Sequence, residues 1–280
     1  MQSPGLRTGM RTNVTSPISV AVVTLTRNRP HALRRNLASV KRQNHQNVTQ
    51  YVIGDRCEFL SSDLNLRALQ EEFPDAVFSR NTARVDDYLP THLARLRFNA
   101  SRQATADVVA VLDDDNEYEF DHLSRLLHSM DEAGSDAAHS WRSLWAADGR
   151  PWLIQDEDPW VPDQRLSKIS FRALSALGVL KTGSNIVRDS LSYAGKPGRV
   201  DSNEWLLSRA LFEEYAAPHQ ASRAERRLQF TEDVLLSRRL ISDAVCVATS
   251  PHATVRYYMG GYSNQNDNEV LLEGAQPEGE

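Results

Sequence analysis

The sequence predicts an α/β fold built on a mostly parallel sheet flanked by helices, and three observations predict it. Short β-branched apolar runs alternate with amphipathic helical stretches through the first 80 residues, the order expected of strands joined by right-handed crossovers. The runs are continuous rather than alternating, as in strands covered on both faces. Polar and acidic residues gather where those runs end.

Taken in order, "ISVAVVTLT" after Pro17 is the first strand, and it stops at "RNRP". "HALRRNLASVKRQ" places Leu33, Leu37 and Val40 on one helical face and Arg34, Arg35, Lys41 and Arg42 on the other. "YVIGD" is a second strand, and "SSDLNLRALQEEF" a helix capped by Ser62 or Asp63 and ended before Pro74. "AVFSRN" is a third strand. "THLARLRFNASRQA" is a helix with Leu93, Leu96 and Ala100 inward, and "DVVAVLD" a fourth strand. In open sheets of this Rossmann-like, nucleotide-binding kind, ligands lie beyond the carboxyl ends of the strands. Those ends hold Thr26, Arg27 and Asn28, then Asp55, then Asp113, Asp114 and Asp115.

The second half is less regular. "DHLSRLLHSMDEAG" is a helix ending near Gly134, and "DAAHSWRSLWAADGRPWLI" reads as two strands joined at Asp148-Gly149. "TGSNIVRDS" reads as a strand, "TEDVLLSRRLI" as a helix beginning at Thr231, and "AVCVATSP" as the last strand. Trp141, Trp145, Trp152 and Trp160 crowd this half and offer flat apolar faces for a ligand, or core packing for at least two of them. "AGKPGR", residues 194–199, has the composition of a loop that can act as a lid.

Composition narrows the function classes. The chain has 280 residues, 40% of them hydrophobic and 25% charged, as in an ordinary globular protein. A net charge of -5 argues against nucleic acid as a partner. Cys57 and Cys246 are too few for a disulfide framework or a zinc cluster, and point to a reducing cytoplasm. Residues 1–17 lack an apolar signal core and read as a flexible tail, residues 263–280 as an acidic mobile tail. No run reaches the roughly 18 apolar residues of a spanning helix, which leaves room for peripheral membrane contact at most.

The chemistry centres on "VVAVLDDDNEYEF". On a continuing strand, Asp113 and Asp115 would share one side roughly 6 to 7 Å apart, while Asp114 faces the other side or lies at the rim. Carboxylates so close repel and need a cation. Oxygen-only ligands favour Mg²⁺ or Mn²⁺, which keep open positions for substrate phosphates. A calcium loop fits less well, because Tyr118 and Ser124 stand where Gly and Glu belong. A Walker-type phosphate loop is absent.

Five segments, "VVTLTRNRP", "VIGD", "NASRQATADVVAVLDDDNEY", "TGSNIVRDS" and "TEDVLLSRRL", together resemble the GT-A nucleotide-sugar glycosyltransferases, most closely family 2. The resemblance spans residues 18–262 and implies a single GT-A domain, with a nucleotide-binding half (18–120) fused to a smaller mixed acceptor half (121–262). It implies metal-dependent transfer of a sugar from a nucleoside diphosphate sugar to a glycan, lipid-linked or small-molecule hydroxyl, with inversion. Thr26 or Arg27 and Asp55 would contact the nucleoside, and Arg97 and Asn99 would lie on the helix leading to the diphosphate. Asp113 or Asp114 would bind ribose or sugar hydroxyls, with Asp115 as ligand to Mn²⁺ or Mg²⁺ and His252 as a further ligand. Asp233 would be the catalytic base, with Glu232 as its backup, and Arg256 a substitute for missing ligand charge. A nucleotidyltransferase of similar fold is the rival reading, although "TLTRNRP" lacks glycine; a non-catalytic nucleotide-sugar or carbohydrate binder is the other.

Overall fold

The computed structural model describes residues 17–83, 88–193, 196–218, 222–227 and 230–260. Both expected tails, apart from Pro17, and residues 194–195 of the glycine-proline segment lie outside them. The first half runs β1 (Val20–Thr26), α1 (Pro30–Lys41), β2 (Val48–Asp55), α2 (Glu58–Ser61), α3 (Asp63–Glu72), β3 (Ala76–Asn81), α4 (Leu89–Gln103) and β4 (Val108–Val111). After it come β5 (Glu117–Tyr118), α5 (His122–Ala133), β6 (Ala137–Trp145), α6 (Gln164–Ala176), β7 (Ile186–Val187), β8 (Ser192–Tyr193) and β9 (Lys196–Pro197). A 3-10 turn (Ser202–Glu204) leads into β10 (Trp205–Ser208), α7 (Arg209–Tyr215), α8 (Arg223–Arg227), α9 (Glu232–Ser242) and β11 (Ala248–Tyr258).

The main sheet has the order β3-β2-β1-β4-β10-β6-β11-β5, with β7 on the side of β6. Its first four strands are parallel, as the crossovers demand. Beyond them β10 enters antiparallel to both β4 and β6, and β11 runs parallel to β6. A parallel half and a mixed half therefore share one sheet, an α/β architecture with helices packed on its faces.

Both faces of the central strands are covered. Val23 and Leu25 of β1 and Val109 and Val111 of β4 pack beneath α4, α7 and α9 with Leu96, Phe212 and Leu240. Their alternates, Val20, Val22, Val108, Ala110 and Leu112, pack on the other face against Leu123, Leu126 and Met130 of α5. This two-sided burial is why the runs read as continuously apolar. Gly134 ends α5 in the left-handed region at φ 57°, a conformation glycine adopts without steric cost. Gly54 is needed for space: a Cβ there would lie 2.9 Å from Leu60 Cδ1.

Three segments differ from expectation. The strand expected after Asp148-Gly149 is reduced to a single bridge between Trp145 and Pro151, since proline has no N–H to donate to a ladder. "TGSNIVRDS" contributes only the two residues of β7. The last strand starts at Ala248 and runs on through "HATVRYY", because partnership with β6 carries it past Pro251 through a bulged stretch. Among the described residues no helix is long and apolar enough to cross a membrane.

Leu123 is fully buried against the β1–β4 face. Leu123→Ala should lower unfolding stability by about 2–5 kcal/mol, read by chemical denaturation.

Candidate functional site

The carboxyl ends of β1, β2 and β4 lie side by side: Thr26 pairs with Gly54, Asp55 with Asn81, and the Leu112 N–H reaches the Val23 carbonyl at 3.0 Å. The strand register thus delivers the polar residues of three segments to one edge. β4 ends at Val111, so the acidic triplet lies in a turn closed by the Asn116 N–H on the Asp113 carbonyl at 3.0 Å. Face alternation does not extend into it. Asp114 and Asp115 share one cation and Asp113 takes another, while Asp113 remains the largest charge acting on the Asp115 carboxyl.

Arg29 Nη1 lies 3.1 Å from Asp114 Oδ1 and 2.6 Å from Asp115 Oδ2. The Thr26 hydroxyl donates to Asp114 Oδ2 at 2.7 Å. Asn28, at φ 55°, turns the chain between Thr26 and Arg29; asparagine is among the few non-glycine residues that adopt this conformation readily. Arg27 itself is exposed, and what it gives the turn is a main-chain hydrogen bond to Asp114. The sequence resemblance singles out Arg27 for the nucleoside and gives no role to Arg29, two residues on.

Behind the turn stands Asn36 of α1, fully buried, whose side-chain amide donates to the carbonyls of Asp113 at 2.8 Å and Asn116 at 3.0 Å. Asn116 in turn accepts the Tyr258 N–H on Oδ1 at 3.0 Å. The acidic turn is therefore tied to α1 and β11 as well as to β1.

On the other side Arg97, buried in α4, donates from Nη2 to Asp113 Oδ1 at 2.5 Å and from Nη1 to Glu232 Oε1. Burial opposes its charge, but Asp113 and Glu232 outweigh that and raise its pKa above the ordinary arginine value. One guanidinium thus spans from the acidic turn to the first turn of α9. Asn99, two residues further on a helix with 100° per residue, points elsewhere and is exposed. The structure brings Arg97 to the site and leaves Asn99 out of it.

Asp233 sits beside this bridge, and among the described residues no cation pairs with it. Both of its described hydrogen bonds fall on Oδ1, from the Thr231 hydroxyl and from the Val234 N–H at 2.9 Å. Burial, then the charges of Glu232 and Asp201, push its carboxyl up to about 7. Thr231 is the residue before α9, as expected, but its hydroxyl bonds Asp233 rather than capping the helix backbone. A cavity of about 60 Å³ lies between α4, α7, α9 and β10, with Arg97, Glu232 and Asp233 in its wall beside Trp205 and Leu236.

Asp55, at the end of β2, has its own partners: Asn81 Nδ2 at 2.9 Å, His92 Nε2 at 3.2 Å and Arg56 Nη2 at 3.4 Å. Burial works against its charge, but these contacts outweigh it and hold the carboxyl below its usual range.

His252 is exposed on β11. Six strand residues, about 20 Å, separate it from Tyr258, whose amide touches the acidic turn, so the structure does not join it to Asp115. Among the described residues no group of three or more His, Cys, Asp or Glu side chains forms a ready metal cage. Arg256 is paired with Glu119 at 2.5 Å and lies over the Trp145 ring, so its charge is already matched. Trp152 and Trp160 pack against a core cluster beneath β6.

The charge balance at the turn remains negative. Three carboxylates face Arg29 and a guanidinium shared with Glu232, and burial followed by the Asp113 and Asp114 charges pushes Asp115 up to about 7 despite Arg29. Oxygen donors with surplus negative charge fit a hard divalent cation whose remaining positions are filled by phosphate oxygens and water.

The model of glycosyl transferase family 2 matches residues 21–176, more than half of the chain. Among solved structures, S. aureus TarS 1–349 in complex with UDP superposes with a TM-score of 0.54 at 15% identity, covering 88% of this chain and 62% of that one. TarS 1–349 in complex with UDP-GlcNAc gives 0.55 at 14% identity, covering 89% and 61%. The chain therefore spans less than two thirds of those structures, and the likeness is one of fold. No curated protein sequence matches the chain.

Arg97→Gln would leave Asp113 and Glu232 without their shared cation and should cost about 3 kcal/mol of stability. Arg29→Gln removes a cation whose side chain is 42% exposed and should cost about 1 kcal/mol or less. Urea denaturation of the two variants checks the contrast.

Proposed function

Because the chain belongs to glycosyl transferase family 2, we propose that it moves a sugar from a nucleoside diphosphate donor to an acceptor hydroxyl, with the acidic turn holding the donor and Asp233 acting as base. The observation that carries this reading is the division of labour among the acids. Asp113 and Glu232 share one arginine, whereas Asp233 next to them pairs with no cation among the described residues and its carboxyl is pushed up to about 7. A group of that affinity can take a proton near neutral pH.

The steps follow from the residues. Asp55 and Thr26, with the main chain at Arg27, receive the nucleoside at the ends of β1 and β2. Asp113 or Asp114 accepts from ribose or sugar hydroxyls. Asp115 would hold Mn²⁺ or Mg²⁺, which when bound supplies positive charge to the diphosphate as it leaves. Arg29, on an exposed turn, is placed to move from Asp115 to the diphosphate and add to that stabilisation. The acceptor oxygen attacks the anomeric carbon, the bond from that carbon to the diphosphate oxygen breaks, and the acceptor proton passes to Asp233. A single displacement of this kind inverts the anomeric centre.

Fold neighbours that hold UDP and UDP-GlcNAc make uridine-based donors the first to try. Incubating the protein with Mn²⁺ and a panel of UDP-, GDP- and dTDP-sugars should release free nucleoside diphosphate. Pyrophosphate exchange in its place, or no turnover of any donor, would contradict the reading.

For the donor so identified, Asp233→Asn should lower kcat about 10²–10⁴-fold while donor affinity is kept. The wild-type rate should rise with pH through about 7, because the base works only after losing its proton, and this limb should be absent from the residual rate of the variant. A variant with undiminished kcat sinks the assignment of the base. Chelation with EDTA should abolish most turnover, and Mn²⁺ or Mg²⁺ should restore it; Asp115→Asn should need more metal for half-maximal rate, and indifference to EDTA would remove the cation from the account.

A further inference from the structure

The segment from Asp201 to Glu204 lies outside the stretch matched by the family model, which ends at residue 176, yet it makes two hydrogen bonds to Asp113 of the acidic turn. Asn203 is fully buried. Its Oδ1 accepts the Asp113 N–H at 2.6 Å, and its Nδ2 donates to Asp113 Oδ2 at 3.1 Å and to Asp201 Oδ1 at 2.5 Å. Both side-chain donors and the acceptor are therefore engaged, two of the three contacts with one residue.

That residue needs holding. β4 ends at Val111, so no strand ladder fixes the Asp113 backbone, and Asn203 takes the place of a ladder partner for its N–H. On the side chain, Arg97 takes Oδ1 and Asn203 takes Oδ2. The carboxylate is thus set in orientation by one charged and one neutral donor, and the neutral one leaves its negative charge intact. A lysine or arginine there would compete with Arg97 for Asp113; an aspartate would repel it.

Asn203 is itself rigidly seated. Asp201 and Glu204 form a reciprocal cap, with the Asp201 N–H on Glu204 Oε2 at 2.7 Å and the Asn203 N–H on Asp201 Oδ1 at 3.0 Å. Arg142 of β6, fully buried, reaches Asp201 Oδ2 at 3.1 Å and Glu204 Oε2 at 3.3 Å. A chain of contacts runs from β6 through Arg142, the capped turn and Asn203 to Asp113, and on through Arg97 to Glu232.

We propose that Asn203 is a positioning residue of the donor site: it orients the Asp113 carboxylate from the second half of the sheet, so that Asp113 meets the donor and keeps its share of Arg97. The inference rests on the reading of Asp113 as a donor contact. It requires that Asn203 act through Asp113 and not through general stability.

The test is a double-mutant cycle on the donor KM, using the sugar nucleotide that wild type hydrolyses fastest from the UDP-, GDP- and dTDP-sugar panel. Asn203→Ala should raise this KM about tenfold, the worth of one hydrogen bond to a charged group, and Asn203→Ser, which keeps a small donor, should fall between. In the Asp113→Asn background either change should add less than twofold. If the alanine variant does not fold, the serine variant completes the cycle. A KM raised by Asp113→Asn but not by the Asn203 changes overturns the inference alone, as does an equal loss in both backgrounds. A KM untouched by Asp113→Asn overturns the donor reading and the inference with it.

Discussion

Surplus negative charge at the end of β4 is the constraint around which the rest of this protein is arranged. Three successive carboxylates leave a strand that is apolar on both faces, in surroundings where an unmatched charge is costly. The fold answers with Arg29 from the β1 turn and Arg97 from α4. Neither arginine settles the account, because Arg97 is divided between Asp113 and Glu232. What is left over is a turn with surplus negative charge and a nearby carboxylate, Asp233, whose pKa burial and neighbouring acids push up to about 7.

The sheet makes this possible through register more than through any special loop. Parallel pairing of β1 with β2 and β4 brings Thr26, Asp55 and the acidic turn to a common edge. The insertion of β10 between β4 and β6, antiparallel to both, then places the capped turn before β10 against Asp113. Helix α9 packs on the same side as α4, which lets one guanidinium join residues 97, 113 and 232. The parallel and mixed halves of the sheet are coupled by side chains.

The parallel half was legible in the sequence because two-sided burial leaves long β-branched runs, and the helices between them show a single apolar face. Its acidic turn was legible for the same reason: charge stands out against "VVAVL". In the second half α5 with its Gly134 end, β6, α9 and the start of β11 were legible in the same way; β10 and the turn before it were not, since "WLLS" is too short to distinguish strand from buried helix, and a 3-10 turn with a reciprocal cap has no periodicity. Arg29 escaped notice because an arginine in "TRNRP" looks like any surface cation until the left-handed Asn28 turns it back on the site. Asn203 carries no charge and gave no signal at all; only its burial and its partners mark it. Asn99 and His252 were expected from the family resemblance, which says nothing about helical phase or about how far a strand runs past the site.

A crystal structure of the protein with UDP and Mn²⁺ tests the central claim most directly. The ion should lie against the Asp115 carboxylate, bridging it to the diphosphate, with Arg29 turned from Asp115 toward phosphate and Arg97 still joining Asp113 to Glu232. Nucleotide and ion bound away from the acidic turn, or a turn unchanged with Arg29 still seated on Asp115, would contradict the account.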